Sequence, residues 1–197
     1  MEVWKPSLEL WKREPAKSLL KTRVFEVVER MSSSPQGKGT GNYYSLLSKN
    51  WVSIVAITTD QKLVLVEQYR HGIDDITLEL PGGIVDETQG NPEENAFQSA
   101  KRELEEETAY TTRDEFWSQL GKVSGNPAIL NNWVFSFYAK NVEPKGKIHF
   151  DHGEETVVHL IDLEKIPDLI LQGIIHHPTQ ISALAQFFWK EYGTPKI

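Results

Sequence analysis

Residues Glu79 to Ala109 read ELPGGIVDETQGNPEENAFQSAKRELEEETA and contain the most informative pattern of the chain. It begins as a short strand that runs into a Pro-Gly-Gly turn. Asn91, followed by Pro92 and then by Glu94, is typical of a helix start, because Asn caps free backbone N–H groups and Pro suits the first turn. The pattern therefore predicts a strand, a glycine turn and a helix that runs to about Thr108.

Carboxylates crowd one border of the buried face of this predicted helix. At about 100° per residue, the apolar side chains form a single stripe, which consists of Ala96, Phe97, Ala100 and Leu104. Glu103 and Glu107 fall at the border of that stripe, and Glu106 lies farther round. Like charges at this spacing destabilise a helix, and partial burial of unpaired carboxylates costs more. Two interpretations stay open from the helix alone: a solvated acidic face, or a site for a hard divalent cation.

The composition of the chain excludes several classes of protein. The 197 residues include 39% hydrophobic residues, enough to fill the core of one domain or of one domain with a small appendage. The absence of cysteine excludes disulfides and thiolate metal sites. No apolar run approaches the about eighteen residues of a membrane span, and the first residues lack an apolar signal region, so we expect a cytoplasmic protein. The net charge of −7 argues against a general nucleic-acid binder.

The hydropathy pattern predicts two parts of the chain. Residues 1–48 form an antiparallel β unit, with strands at 23–30 and 43–47 joined by a turn-rich, mobile loop. Two or three strands bury little apolar surface by themselves. This unit must therefore pack on the rest of the chain or on another subunit. Residues 49–197 mix strands and helices, which predicts an α/β or α+β domain with a mixed sheet. Beyond the central stretch, we expect strands at 51–58, 63–69, 133–140 and 155–161 and helices at 162–171 and 179–192.

The central stretch resembles the Nudix box, Gly-x5-Glu-x7-Arg-Glu-U-x-Glu-Glu-x-Gly-U, in which U is an aliphatic residue. The resemblance lies in the Pro-Gly-Gly turn and in Arg102-Glu-Leu-Glu-Glu-Glu107. Ten residues separate Gly83 from Glu94, five more than in the box, and Ala109 stands where the box has glycine. We interpret the longer spacing as about one added helical turn, which nearly preserves the phase of the helix face. Alanine at position 109 suits a helix end only if its φ is negative.

The resemblance implies a fold, an activity and a metal. The fold is a Nudix α/β/α sandwich with a mixed β-sheet, to which the small N-terminal antiparallel β subdomain is added. The family hydrolyses nucleoside diphosphates linked to another moiety, with Mg²⁺ or, in its place, Mn²⁺. The implied metal ligands are Glu103, Glu106, Glu107 and the backbone carbonyl of Gly82. Among these, Glu106 and Glu107 are also candidate catalytic residues, since the bound ion lowers the pKa of a water molecule.

A second segment resembles one branch of this family. Val66-Glu-Gln-Tyr-Arg70 is similar to a segment of the ADP-ribose and nucleoside diphosphate sugar pyrophosphatases. The resemblance implies that Arg70 binds the substrate phosphates, a task that suits the planar, two-pronged guanidinium group. Glu79 and Gly83 are further candidate substrate-binding residues. In this branch the N-terminal strands exchange between subunits, so the resemblance also implies a homodimer.

The resemblance implies a general base near the end of the chain and leaves the substrate open. Gly153-Glu154-Glu155 precedes a predicted strand, and Glu154 is the candidate base, with Glu155 as the alternative. The expected reaction splits ADP-ribose, GDP-mannose or a similar compound into a nucleoside monophosphate and a sugar phosphate, without a nucleic-acid or membrane partner. Alternatives are a coenzyme A or dinucleotide (NADH) pyrophosphatase and a non-catalytic ligand-binding module. The helix carboxylates disfavour the last, because pure binding of a polyanion needs fewer acids.

Overall fold

The computed structural model describes residues 4–86, 91–148 and 155–194. The chain divides into two compact units. The first unit comprises Met1–Lys49 and Asn126–Asn132, and the second comprises Asn50–Gly125 and Trp133–Ile197.

The described part of the first unit contains an antiparallel sheet. Its strands are β1 (Lys12–Arg13), β2 (Lys17–Lys21), β3 (Phe25–Ser33) and β4 (Thr40–Ser48). The central strand is β3, which pairs with each of the other three. Both predicted strands are confirmed but are longer than expected, because the ladder between β3 and β4 continues to the pair Ser33 and Thr40. The turn-rich loop predicted at 31–41 is correspondingly shorter.

A segment distant in sequence completes the first unit. The backbone N–H of Leu46 donates to the carbonyl of Ile129 over 2.8 Å, and the N–H of Ser48 donates to the side chain of Asn131 over 2.8 Å. These bonds supply partners to β4 on the side away from β3, where its backbone groups would otherwise lack them. The sequence did not predict that residues 126–132 belong with the N-terminal strands.

The second unit is built on a mixed sheet. Its described strands are β5 (Trp51–Thr58), β6 (Lys62–Arg70), β7 (Asp75–Glu79), β8 (Tyr110–Thr111), β9 (Trp117–Ser124), β10 (Trp133–Pro144) and β11 (Thr156–Asp162). The order β11-β6-β5-β10-β8 forms the main path, while β7 pairs with β6 and β9 pairs with β10. Only β5 and β10 are parallel among the described pairs. The strand β9 was not predicted from the sequence, because it has no clear apolar alternation and is ordered by its neighbour β10.

Three α-helices are described: α1 (Pro92–Thr108), α2 (Ile166–Leu171) and α3 (Pro178–Tyr192). The prediction for α1 is confirmed, and the side chain of Asn91 caps it by accepting from the N–H of Glu94 over 2.8 Å. The helix predicted at 162–171 is instead a 3₁₀ turn, Leu163–Lys165, followed by α2. Proline in the first turn of α2 favours a new helix start there.

The end of α1 differs from the expectation. Ala109 has a φ of 57°, in the left-handed region, so the condition of a negative φ is not met. Its N–H nevertheless donates to the carbonyl of Glu105 over 2.9 Å and closes the helix. At Ala109, where the Nudix box has glycine, the chain thus adopts a left-handed conformation of the kind that favours glycine.

Two apolar layers enclose the mixed sheet. One face of the sheet packs on α1 and includes Val52, Ile54, Ala56, Val64, Ala96, Ala100, Leu104, Phe135, Phe137 and Ala139. The other face packs on α2 and α3 and includes Val55, Ile57, Leu63, Leu65, Leu80, Ile166, Ala183, Leu184 and Phe187. Successive residues of β5 and β6 therefore point into opposite layers, which confirms the predicted α/β/α architecture. No described helix has both the length and the apolar character of a membrane span.

Candidate active site

The Pro-Gly-Gly turn runs antiparallel to the start of β5. The N–H of Val52 donates to the carbonyl of Gly83 over 2.9 Å, and the N–H of Ile54 donates to the carbonyl of Pro81 over 2.9 Å. A Cβ atom at Gly82 would lie 2.1 Å from the carbonyl oxygen of Val52, so only glycine fits there. Because alternate carbonyls of an extended segment point to opposite sides, the carbonyl of Gly82 points away from β5.

The glycine turn lies directly against the acidic border of α1. Glu107 is 8% exposed and accepts a hydrogen bond of 2.8 Å from the N–H of Gly82. The side chain of Glu103 is 13% exposed, and a Cβ atom at Gly83 would lie 2.3 Å from its Oε1. Glu106 is 40% exposed, as expected from its position farther round the helix. The structure therefore brings together Gly82, Gly83, Glu103 and Glu107, with Glu106 at the rim.

Arg102 donates hydrogen bonds to three carboxylates at this site. Its Nη2 donates to Glu103 over 2.7 Å, its Nη1 donates to Glu106 over 2.5 Å, and its Nε donates to Asp86 over 2.9 Å. Although partial burial opposes it, the negative charge of Glu103 and the bond to Glu106 raise the pKa of Arg102 above its usual value. This arginine offsets the repulsion among the helix carboxylates, a role that the sequence pattern did not indicate.

The donor set fits a hard divalent cation by its chemistry. Among residues 4–86, 91–148 and 155–194, no three His, Asp or Glu side chains enclose a point suited to a metal ion. Glu103 and Glu106 instead share Arg102, so a cation would have to replace the guanidinium group as their partner. Carboxylates beside a backbone carbonyl are the oxygen ligands that Mg²⁺ and Ca²⁺ take, and the missing Cβ of Gly83 leaves room for the carboxylate of Glu103.

A second cluster surrounds Arg70. Its Nε and Nη2 donate to the two oxygens of Glu79, each over 2.7 Å, while its side chain stays 43% exposed. Glu79 is fully buried and also accepts from Thr77 Oγ1 over 2.6 Å and from Gln180 Nε2 over 2.6 Å. Burial raises the pKa of Glu79, but the hydrogen bonds from Arg70 and Thr77 outweigh it and lower the pKa to about 2. Glu79 is therefore ionised at neutral pH and binds Arg70.

Two members of the Arg70 cluster were not predicted from the sequence. Thr77 reads as an ordinary strand residue, and Gln180 reads as one polar residue of a helix 101 residues from Glu79 in sequence. The alternation of β7 places Thr77 and Glu79 on one face, so that pair could have been found. No local signal indicates Gln180, because its partner lies on another element.

The candidate base, Glu154, lies outside the described residues. Glu155 is exposed and directly precedes β11. The choice between these two glutamates therefore stays a prediction.

Comparison with known proteins places the chain in a family. A model of the NUDIX domain matches residues 49–181. The methanol dehydrogenase activator of Bacillus methanolicus is 32% identical over 94 residues, which are 48% of this chain and 47% of that protein. The ADP-ribose pyrophosphatase of Bacillus subtilis (strain 168) is 28% identical over 123 residues, which are 60% of this chain and 61% of that protein. The chain thus spans between about half and three fifths of the length of these relatives.

The fold has a close counterpart among solved structures. A crystal structure of an ADP compounds hydrolase superposes with a TM-score of 0.79, and the match covers 96% of this chain and 99% of the other at 22% identity. That likeness shows the fold. Since the NUDIX domain match spans more than half of the sequence and contains both the glycine turn and the acidic helix, the chain belongs to the Nudix family.

Proposed function

We propose that this protein is a Nudix pyrophosphatase that hydrolyses the diphosphate bond of a nucleoside diphosphate sugar such as ADP-ribose. The contact between the glycine turn and the buried border of α1, in which Glu107 accepts from the N–H of Gly82, carries the proposal. The relative named an ADP-ribose pyrophosphatase supports this substrate class. The products are a nucleoside monophosphate and a sugar phosphate.

Glu103, Glu106, Glu107 and the carbonyl of Gly82 are the proposed metal ligands. Nudix hydrolases generally need divalent metal ions, and we propose Mg²⁺, with Mn²⁺ as a substitute. When bound, such an ion neutralises negative charge on the diphosphate and acidifies a water molecule. Glu107 is held by the glycine turn, so at least one ligand is oriented in advance. Arg102 keeps Glu103 and Glu106 close together in the absence of the ion.

Arg70 is the proposed phosphate contact. Its guanidinium group is fixed by two hydrogen bonds to Glu79, while the side chain remains 43% exposed. A cation held in place before the substrate arrives loses little conformational freedom on binding, which favours binding of the diphosphate. Glu79 acts in this proposal through Arg70, because its own oxygens already accept from protein donors.

Glu154 is the proposed general base that takes a proton from the attacking water. We expect Glu154→Gln to lower kcat by about 10²- to 10⁴-fold with little change in KM, because only a proton-transfer step is lost. The matched variant Glu155→Gln should be mild, because Glu155 is exposed directly before β11 and we assign the role of base to Glu154. If Glu155→Gln is inactive and Glu154→Gln is active, Glu155 is the base and not Glu154. If both variants are active, neither residue is the base.

The proposed function is tested by incubating the purified protein with Mg²⁺ and a panel of ADP-ribose, GDP-mannose, UDP-glucose, NADH and coenzyme A. We expect ADP-ribose to be hydrolysed, and preference for NADH or coenzyme A would favour the alternative pyrophosphatases. Glu103→Gln and Glu107→Gln should each lower kcat by at least about 10³-fold, because the stabilisation of the transition state by the metal is lost. Activity within tenfold of wild type in both variants would refute the metal ligands, and a protein inactive on the whole panel would refute the function.

A further inference from the structure

Gln180 joins two neighbouring residues of the second unit through one side-chain amide. It lies in the first turn of α3 and is 5% exposed. Its Nε2 donates to Glu79 Oε2 over 2.6 Å, and its Oε1 accepts from the N–H of Leu80 over 2.7 Å. Both ends of the amide are thus used, on consecutive residues of the chain.

The bond from Gln180 fixes the orientation of the Glu79 carboxylate. Each oxygen of Glu79 accepts from one nitrogen of Arg70 and from one neutral donor, Thr77 on Oε1 and Gln180 on Oε2. A carboxylate held from both sides cannot rotate, and its plane sets the plane of a guanidinium group bound to both oxygens. Loss of either neutral donor would leave Arg70 attached to a carboxylate with more freedom.

The bond to Leu80 acts on the glycine turn. Leu80 immediately precedes the Pro-Gly-Gly turn, whose Gly82 donates to Glu107 on α1. The helices α3 and α1 lie on opposite faces of the sheet. The amide of Gln180 on α3 therefore binds both Glu79, the partner of Arg70, and Leu80, which leads into the turn that contacts α1 on the other face.

We infer that Gln180 is a positioning residue of the diphosphate site, which orients Arg70 through Glu79 and fixes the start of the glycine turn. This inference rests on the proposed role of Arg70 as the phosphate contact. Gln180 itself acts through these neighbours and not through contact with the substrate or the reacting atoms.

Binding of ADP in the presence of a chelator, measured by calorimetry, tests the inference without hydrolysis. Gln180→Met keeps the length of the side chain but removes both hydrogen bonds. We expect it to weaken ADP binding by about tenfold, because the bond to Glu79, which orients Arg70, is lost. Thr77→Val, which preserves the strand and removes the other neutral donor to Glu79, should weaken binding in the same direction. The matched control is Ser182→Ala, on the same helix, whose hydroxyl bonds only the carbonyl of Pro178 among the contacts seen.

A double-mutant cycle separates positioning from general damage. If Gln180 acts through the guanidinium group of Arg70, Gln180→Met should weaken ADP binding much less in an Arg70→Lys background than in the wild type. An equal loss of ADP affinity in both backgrounds would overturn the inference. So would an unchanged ADP affinity in Gln180→Met and Thr77→Val, or a wild-type protein that binds no ADP. If Gln180→Met does not fold, Thr77→Val and its combination with Arg70→Lys decide the question.

The two proposals fail in different ways. A protein that is inactive on ADP-ribose but shows the expected coupling in ADP binding refutes the proposed hydrolysis and keeps the positioning role. An active protein whose ADP affinity is the same in every variant refutes the positioning role and keeps the hydrolysis.

Discussion

At the scale of single residues, Ala109 shows a local conflict between side chain and backbone. Its φ of 57° places a Cβ atom in the left-handed region, where it approaches the following carbonyl and costs about 1–2 kcal/mol. The helix keeps its closing hydrogen bond to Glu105, so the strain is confined to one residue. Glycine, the residue of the Nudix box at this place, would remove it.

We therefore predict that Ala109→Gly raises the free energy of unfolding by up to about 1 kcal/mol, since relief of strain is partly offset by the greater freedom of glycine in the unfolded chain. Urea denaturation checks this through the midpoint at constant slope. Ala100→Gly, in the buried interior of the same helix, is the control and should lower the free energy of unfolding by about 1 kcal/mol or more. No gain in Ala109→Gly would contradict the prediction, because the strain at Ala109 would then be no larger than the cost of the greater freedom of glycine.

Glu79 predicts a pH dependence of stability. Its pKa is about 2 in the folded protein against an ordinary value of 4.5, so the folded state binds its proton less readily than the unfolded state. The stabilisation is therefore fully present above about pH 4.5 and is lost as the pH falls towards 2, with a limit of about 3 kcal/mol. Urea denaturation between pH 6 and pH 3 should show a smaller decline for Glu79→Gln than for the wild type. Parallel declines in the two proteins would contradict the strong coupling of Glu79 to Arg70.

At the scale of elements, the two glycines of the turn have different neighbours. A Cβ atom at Gly82 would meet the backbone of β5 at 2.1 Å, whereas one at Gly83 would meet the carboxylate of Glu103 at 2.3 Å. Backbone in the middle of a sheet cannot move away, but a side chain can change its rotamer. The same added methyl group thus affects the fold at one position and the acidic border at the other.

We predict that Gly82→Ala lowers the free energy of unfolding by at least about 2 kcal/mol, because overpacking against a fixed backbone is costly. Gly83→Ala should change stability by less. If Mg²⁺ binds as proposed, it should raise the melting temperature, and Gly83→Ala should weaken that rise because Glu103 is displaced. Thermal unfolding with and without Mg²⁺ measures both effects. Equal destabilisation by the two substitutions would contradict the difference between their neighbours.

At the scale of the whole molecule, the first unit exposes many large apolar side chains for its size. Among the described residues they are Trp4, Leu8, Leu10, Trp11, Leu19, Leu20, Val24, Phe25, Met31, Tyr43, Tyr44 and Ile129. Trp4 is 82% exposed and Leu10 is 93% exposed. We propose that these side chains contribute to an interface and that the partner is a second copy of the chain.

We predict that the protein is a homodimer in which the first unit, residues 1–48 in the sequence prediction, supplies the contact. Light scattering at micromolar concentration should give about 45 kDa, twice the 22.5 kDa of one chain. Leu10→Glu combined with Leu20→Glu should produce monomers, because charge is costly to bury in an interface, whereas Leu171→Glu, at an exposed site of the second unit, should not. A wild-type monomer with full activity would refute the arrangement.

Features that depend on neighbouring residues could be predicted from the amino-acid sequence. The cap at Asn91, the bounds of α1 and the position of Glu103 and Glu107 at the edge of its buried stripe follow from spacing along one helix, and the structure agrees with all three. The strands β5 and β6 followed from apolar runs in the same way. The left-handed φ of Ala109 did not, because the backbone there depends on how the chain leaves the helix.

Contacts between residues distant in sequence could not be predicted in this way and are known from the folded structure. Gln180 donates to Glu79, which lies 101 residues away in sequence, and Arg102 binds Asp86 as well as the carboxylates of α1. Residues 126–132 contain the segment that forms backbone hydrogen bonds with β4. The strand β9 belongs to the same class, because its own pattern is weak and its partner β10 orders it. Local patterns record propensity and periodicity, which act over a few residues, whereas the choice of partner is made when the layers of the fold pack together and every buried donor and acceptor must find a counterpart.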